Sequence, residues 1–140
     1  MPVTTKEEAS YEYVYCASGF TQYKPYVLDL DSTAHGYINA APATLAVGQR
    51  VGVPQGTTTT VAGWYPFCVK GACIALVDGT SNVADGGWIE LINAGVAFIT
   101  DSDTTRSANS VGIVLEAQAT DAATATHVFL TGDPVQIAGS

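Results

Sequence analysis

Apolar residues fall in short runs along this chain, separated by glycine, asparagine, aspartate and proline, and several runs alternate with a period of two. Period-two alternation places successive side chains on opposite faces of a strand, so the pattern predicts strands rather than helices. Tyr11-Glu12-Tyr13-Val14-Tyr15-Cys16 alternates most clearly. Its three tyrosines share one face, and Glu12, Val14 and Cys16 share the other. Tyr26 to Asp31 reads as a second short strand. Ser32 to Val47 is rich in alanine and reads as extended loop with one helical turn near Ala43. Gln49-Arg50-Val51-Gly52-Val53 is a strand opened by Gly48 and closed by Pro54. Thr57 to Thr60 is strand-compatible but reads as a loop or edge.

The stretch from Trp64 to Thr100 organises the rest. It holds both tryptophans, Cys68, Cys73 and several apolar runs. Turn chemistry divides it at Lys70-Gly71, Asp78-Gly79, Asp85-Gly86-Gly87 and Asn93-Ala94-Gly95. Trp88 to Ile92 and Val96 to Ile99 flank the last of these and should pair as a central hairpin. Burial of Trp88 makes Trp88→Ala the most damaging single change expected, at most ~5 kcal/mol for ~200 Å² of ring surface. A two-residue loop at Lys70-Gly71 would set Cys68 opposite Cys73. Directly opposed strand residues stand ~4.5–5.5 Å apart at Cβ, wider than a relaxed bridge, so a disulfide there would be strained. Two buried free thiols are the favoured reading, and two thiols alone do not close a zinc site. Further strands are expected at Val111 to Ala117 and Thr126 to Leu130, with a loop from Thr120 to Ala125 between them. A turn at Thr131-Gly132-Asp133-Pro134 then leads to a last strand, Val135 to Ile137. Short strands at fairly even spacing give an all-β domain, a small antiparallel barrel or a sandwich. Residues 1–31 are expected to form a partly extended N-terminal arm, and residues 32–140 the single body.

Composition changes this picture in two ways. Charged residues make up only 13% of the chain, and apolar ones 47%. A weakly charged surface suits a molecule packed against neighbours. Five of the seven tyrosines lie within the first 26 residues: Tyr11, Tyr13, Tyr15, Tyr23 and Tyr26. Tyrosine offers stiff contact area with a polar tip, which favours an interface over an edge strand that merely covers the body.

The net charge of −8 and the scatter of Lys6, Lys24, Arg50, Lys70 and Arg106 argue against nucleic acid and anionic membranes as partners. No basic-then-apolar leader opens the chain, and no run approaches the ~18 apolar residues of a spanning helix. The protein is expected to be made and used in the cytosol, or carried out of it by lysis. Three cysteines are an odd count, which fits reduced thiols.

Candidate chemistry is sparse. His35 lies in an alanine-rich stretch and His127 at a strand start, neither beside a nucleophile motif. Glu90 and Glu116 sit at alternating positions in apolar strands and read as solvent-face residues rather than a glycosidase pair. Asp101 to Arg106 opens like a calcium loop but lacks its glycine and distal glutamate. No enzyme activity, cofactor or metal is expected.

The succession Val69-Lys70-Gly71, Gly95-Val96-Ala97-Phe98, Val111-Gly112-Ile113-Val114-Leu115-Glu116-Ala117 and Val128 to Val135 resembles tailed-bacteriophage capsid decoration (cement) proteins. The resemblance covers about residues 47–138 and is one of texture rather than motif. It implies a β-barrel or β-tulip body that forms a homotrimer on the virion capsid surface, assembled in the host cytoplasm. The partner would be the major capsid protein, with the five N-terminal tyrosines carrying the contact. The alternative is a carbohydrate- or host-surface-binding module, such as a head fibre base or a lectin-like domain, with Trp64, Tyr65 and Trp88 as stacking platforms.

Overall fold

The computed structural model describes residues 9–29, 37–39, 48–78, 86–91, 97–100, 109–117, 122–134 and 136. Its regular structure is all β. The strands are β1 (Ser10–Cys16), β2 (Tyr26–Asp29), β3 (Tyr37–Asn39), β4 (Arg50–Pro54), β5 (Gly63–Asp78), β6 (Trp88–Glu90), β7 (Phe98–Thr100), β8 (Ser110–Val114) and β9 (Ala123–Leu130).

β5 is the axis of the molecule. At 16 residues it is about three times the length of an ordinary strand. Its first half pairs with β1 and β4, and its second half with β9 and β7. Each half thereby closes a five-stranded ring. The first runs β1-β3-β2-β4-β5, and the second β5-β7-β6-β8-β9. Within each ring the first strand is parallel to the third and every other pairing is antiparallel. The two barrels therefore share one connectivity, with β5 serving as the last strand of one and the first strand of the other. β2 and β6 begin at Tyr26 and Trp88, β3 and β7 at Tyr37 and Phe98, β4 and β8 at Arg50 and Ser110, β5 and β9 at Gly63 and Ala123, an offset of about sixty residues each time.

The repeat carries a sequence trace. Val51-Gly52-Val53 in β4 matches Val111-Gly112-Ile113 in β8. Both glycines face inward. A Cβ on Gly112 would stand 2.4 Å from the Phe129 carbonyl oxygen, and one on Gly52 would crowd Leu28 and Phe67 at 3.1 and 3.2 Å.

Each barrel is filled by its own set of side chains. Val14, Cys16, Tyr26, Leu28, Phe67 and Val69 form the first cluster with Phe20. Ala75, Val77, Ile89, Leu91, Phe98, Val114, Val128 and Leu130 belong to the second. Val27, Val51 and Val53 point away from the first barrel and join the second cluster, which makes the junction apolar. Polar groups complete it. The Gln55 side chain accepts the Ile74 N–H at 3.0 Å and donates to the Ile74 carbonyl at 2.7 Å, standing in for a neighbouring strand. The Leu76 N–H donates to the Tyr23 carbonyl at 2.8 Å, one step further along β5.

Several expectations need correction. No hairpin forms at Lys70-Gly71. Lys70 pairs with Ser10 and Gly71 with Leu130, so the dipeptide marks the handover between barrels, with Gly71 at φ 94° taking the bend. Cys68 and Cys73 thus lie on one strand. β1 and β2 fall within residues 1–31 yet are integral strands, because the apolar inward faces of both fill the first barrel. β3 forms inside the stretch expected to be loop. β9 begins at Ala123 rather than Thr126, because small residues still pair along β5 when that edge is open. Leu115 to Ala117 leaves the sheet as a bend, and no strand is seen at Gln136. Trp88 is only half-buried, alternating with Ile89, which is fully buried. β6 and β7 do pair as expected and sit between β5 and β8. The Asn93-Ala94-Gly95 turn, the Ala43 turn, His35, Asp101 to Arg106 and residues 1–8 lie outside the described residues.

Candidate interaction surface

Strand alternation decides which side of β1 meets water. Val14 and Cys16 point into the first barrel, so Tyr11, Tyr13 and Tyr15 point out. The antiparallel register sets Tyr13 opposite Pro66 and Tyr15 opposite Trp64, and paired residues share a face. The result is an aromatic patch on β1 and the first half of β5. Tyr11 is 50% exposed, Tyr13 69% and Trp64 53%. The Tyr15 and Trp64 rings lie 5.6 Å apart and tilted, which holds the indole in place. Tyrosines two apart on a strand repeat every ~7 Å, so the patch is a row of rings with polar tips.

The remaining tyrosines of the expected set lie elsewhere. Tyr26 is 4% exposed and packs on Phe67; its hydroxyl accepts the Thr21 N–H at 2.9 Å, and Lys24 Nζ lies 5.2 Å over its ring. Tyr23 is half-buried at the junction. Its backbone is left-handed (φ 65°), a conformation uncommon outside glycine, and is held by hydrogen bonds to Pro54 and Leu76. Tyr65 points the other way from Trp64; its ring packs edge-on against Phe20 and its hydroxyl donates to the Val61 carbonyl at 2.7 Å. The structure brings together Tyr11, Tyr13 and Tyr15, and adds Trp64 and Pro66. Cross-strand partners depend on register, which local sequence does not state.

The corresponding face of the second barrel differs. There Ala72, Ile74 and Leu76 of β5 stand opposite Phe129, His127 and Ala125 of β9. The β5 row there is small or aliphatic, and Ala125 stands beside Leu76, so the tyrosine row of β1 and the tryptophan beside Tyr15 are not demanded by closure.

Charged groups lie beside the patch rather than on it. Glu12 of β1 pairs with Arg50 of β4 across the first ring. On the second barrel, Glu116 accepts hydrogen bonds from the His127 backbone N–H at 2.8 Å and lies 3.0 Å from its Nδ1. The backbone bond, then the ring contact, hold the Glu116 carboxyl below the usual glutamate range. Burial, then the nearby thiols Cys68 and Cys73, push the Tyr11 phenol up. Among the described residues no three His, Cys, Asp or Glu side chains converge on a metal-sized site.

No protein-family model matches the chain, and no curated protein does. A solved structure does. The N-terminal base of head fibre gp8.5 of bacteriophage phi29 superposes with a TM-score of 0.56, covering 93% of this chain and all of that one, at 9% sequence identity. At that identity the likeness is one of fold.

Proposed function

We propose that the protein is a structural component of a phage head, a decoration or head-fibre-base protein that binds the outside of the shell. The observation that carries this reading is the exposed aromatic patch of Tyr11, Tyr13, Tyr15 and Trp64, set on a fold like that of a head fibre base over nearly its whole length. The patch docks on the major capsid protein, and the protein acts as a homotrimer that spans capsomer junctions. Many modest contacts then add up through multivalency, and no catalysis or cofactor is needed. Aromatic anchors at the centre of such a contact supply most of its energy.

Co-sedimentation with shells of the cognate major capsid protein tests the reading, alongside light scattering of the free protein. The expected result is a trimer in solution that pellets with shells. A monomer that stays in the supernatant contradicts it.

Trp64, at 53% exposed beside Tyr13 and Tyr15, also favours a second reading: a sugar-stacking platform for a host-surface glycan. Glycan binding that quenches Trp64 fluorescence, with no affinity for shells, would select this reading over the first.

A further inference from the structure

The two barrels differ in charge as well as in aromatic content. The handover between them lies at Lys70-Gly71. Up to Lys70 the chain has five acidic and four basic residues; from Gly71 onward it has eight acidic residues and one basic, Arg106. Of the net charge of −8, the first half therefore carries −1 and the second −7. The described residues divide the same way. Lys24, Arg50 and Lys70 accompany Glu12 and Asp29 in the first half, while Asp78, Glu90, Glu116 and Asp133 belong to the second, with no described Lys or Arg. Glu12 is moreover paired with Arg50. Glu116, by contrast, is half exposed against the His127 backbone N–H. Closure does not demand this charge, because the first barrel closes with the same connectivity and almost none.

Distance keeps the two characters apart. The aromatic patch itself, Tyr11, Tyr13, Tyr15, Trp64 and Pro66, is uncharged. From Trp64 to Ile74 the path along β5 is roughly 30 Å. Ile74 is the register partner of His127, which Glu116 contacts. Gly71 bends that path without reversing it. Salt screens exposed charges over ~8 Å at physiological ionic strength. A partner seated on the patch is therefore several screening lengths from the Glu116 carboxylate, and the acidic barrel does not oppose docking by the other one.

We propose that the protein is electrically two-ended: the first barrel docks, and the second stands outward as an anionic coat that keeps decorated particles apart. The proposal rests on the docking reading above and adds to it an orientation and a second task. The docking end needs aromatic contact area and little charge. The outer end needs charge and no partner, since like-charged exteriors repel and a net charge far from zero keeps particles dispersed.

The test compares the full chain with an Asp78→Asn, Glu90→Gln, Glu116→Gln variant, whose folding circular dichroism checks, on shells of the cognate major capsid protein. Co-sedimentation reports docking, and native agarose electrophoresis at low salt reports the charge of the decorated shells. Parent and variant should pellet with shells alike, and the parent should speed migration toward the anode. The variant lacks three of the second half's seven net charges, so the added mobility should fall by roughly two-fifths. Light scattering should show its shells clumping at lower salt than the parent's. Equal mobility of the two kinds of shell at equal occupancy would overturn the proposal and leave docking intact. A parent that does not pellet would defeat the docking reading, and the proposal with it. Carbodiimide amidation of the shell-bound parent covers a variant that fails to fold. Glu116 should be labelled as fast there as in the free protein, and its protection on shells would overturn the outward placement of the second barrel.

Discussion

The two barrels of this chain have one connectivity and two surfaces. Both close through a parallel pairing of first and third strands, and both carry a V-G-[VI] strand whose glycine faces inward. Yet the first presents Tyr11, Tyr13 and Tyr15, the last two opposite Pro66 and Trp64, where the second presents Ala72, Ile74 and Leu76 opposite Phe129, His127 and Ala125. What the halves share is what closure of a five-stranded barrel needs. What they do not share is free to serve something else, and large exposed aromatics are a costly thing to leave in water without a partner.

If the halves are mechanically one unit, damage to either core should unfold both. Phe67 and Phe98 are fully buried, one in each cluster. Phe67→Ala and Phe98→Ala should each cost about 3–5 kcal/mol. Denaturant melts followed by fluorescence and by circular dichroism should coincide in a single transition for each variant. Two separated transitions would show that the junction of Val27, Val51, Val53, Gln55 and Tyr23 does not couple the barrels. Trp88→Ala should cost less than either, since Trp88 is only partly buried whereas both phenylalanines are fully buried.

The inward glycines offer a finer contrast. A Cβ at Gly112 meets a backbone oxygen at 2.4 Å, which cannot move away, whereas one at Gly52 meets the Leu28 methyls, which can give, and the Phe67 Cβ at a milder 3.2 Å. Gly112→Ala should lower stability by ~1–3 kcal/mol, and Gly52→Ala by less. Equal costs, read from denaturation midpoints, would mean that the two barrels tolerate crowding alike.

Much of this was legible from alternation alone. The inward and outward faces of β1, the β4 strand and the β6–β7 pair follow from period-two patterning and turn residues. The second barrel's likeness to the first was not. The repeat is carried by connectivity and by one short glycine-centred strand, while the rest of the two halves differ in sequence. Lys70-Gly71 misleads because a glycine with positive φ serves a bend within a strand as well as a reversal. A different error put Tyr26 on the surface. A tyrosine in the first strands reads as interface, and only the fold shows its ring against Phe67. Trp64 could not be joined to Tyr15 without knowing the β1–β5 register.

A surface change on the patch should matter less to stability than any of these. Tyr13→Ala is expected to shift stability by no more than about 0.5 kcal/mol, because the ring is mostly in solvent. A larger loss would make the tyrosine a structural cover instead. Smallest of all is the Glu116–His127 clip on the second barrel. The carboxyl's folded pKa lies below its unfolded value, so its contribution is present at neutral pH and lost as pH falls through that lowered value. Glu116→Gln should therefore differ from the parent at pH 7, and the gap should close in acid below the usual carboxylate range. A gap that persists there would point to packing rather than charge.

The most direct measurement compares the two faces in one assay, co-sedimentation with shells of the cognate major capsid protein. A Tyr13→Ala, Trp64→Ala variant should lose most of its binding, while an Ile74→Ala, Leu76→Ala variant that remains folded should bind as the parent does. Equal binding by both variants, or loss confined to the second barrel's face, would contradict the assignment of the aromatic patch as the docking surface.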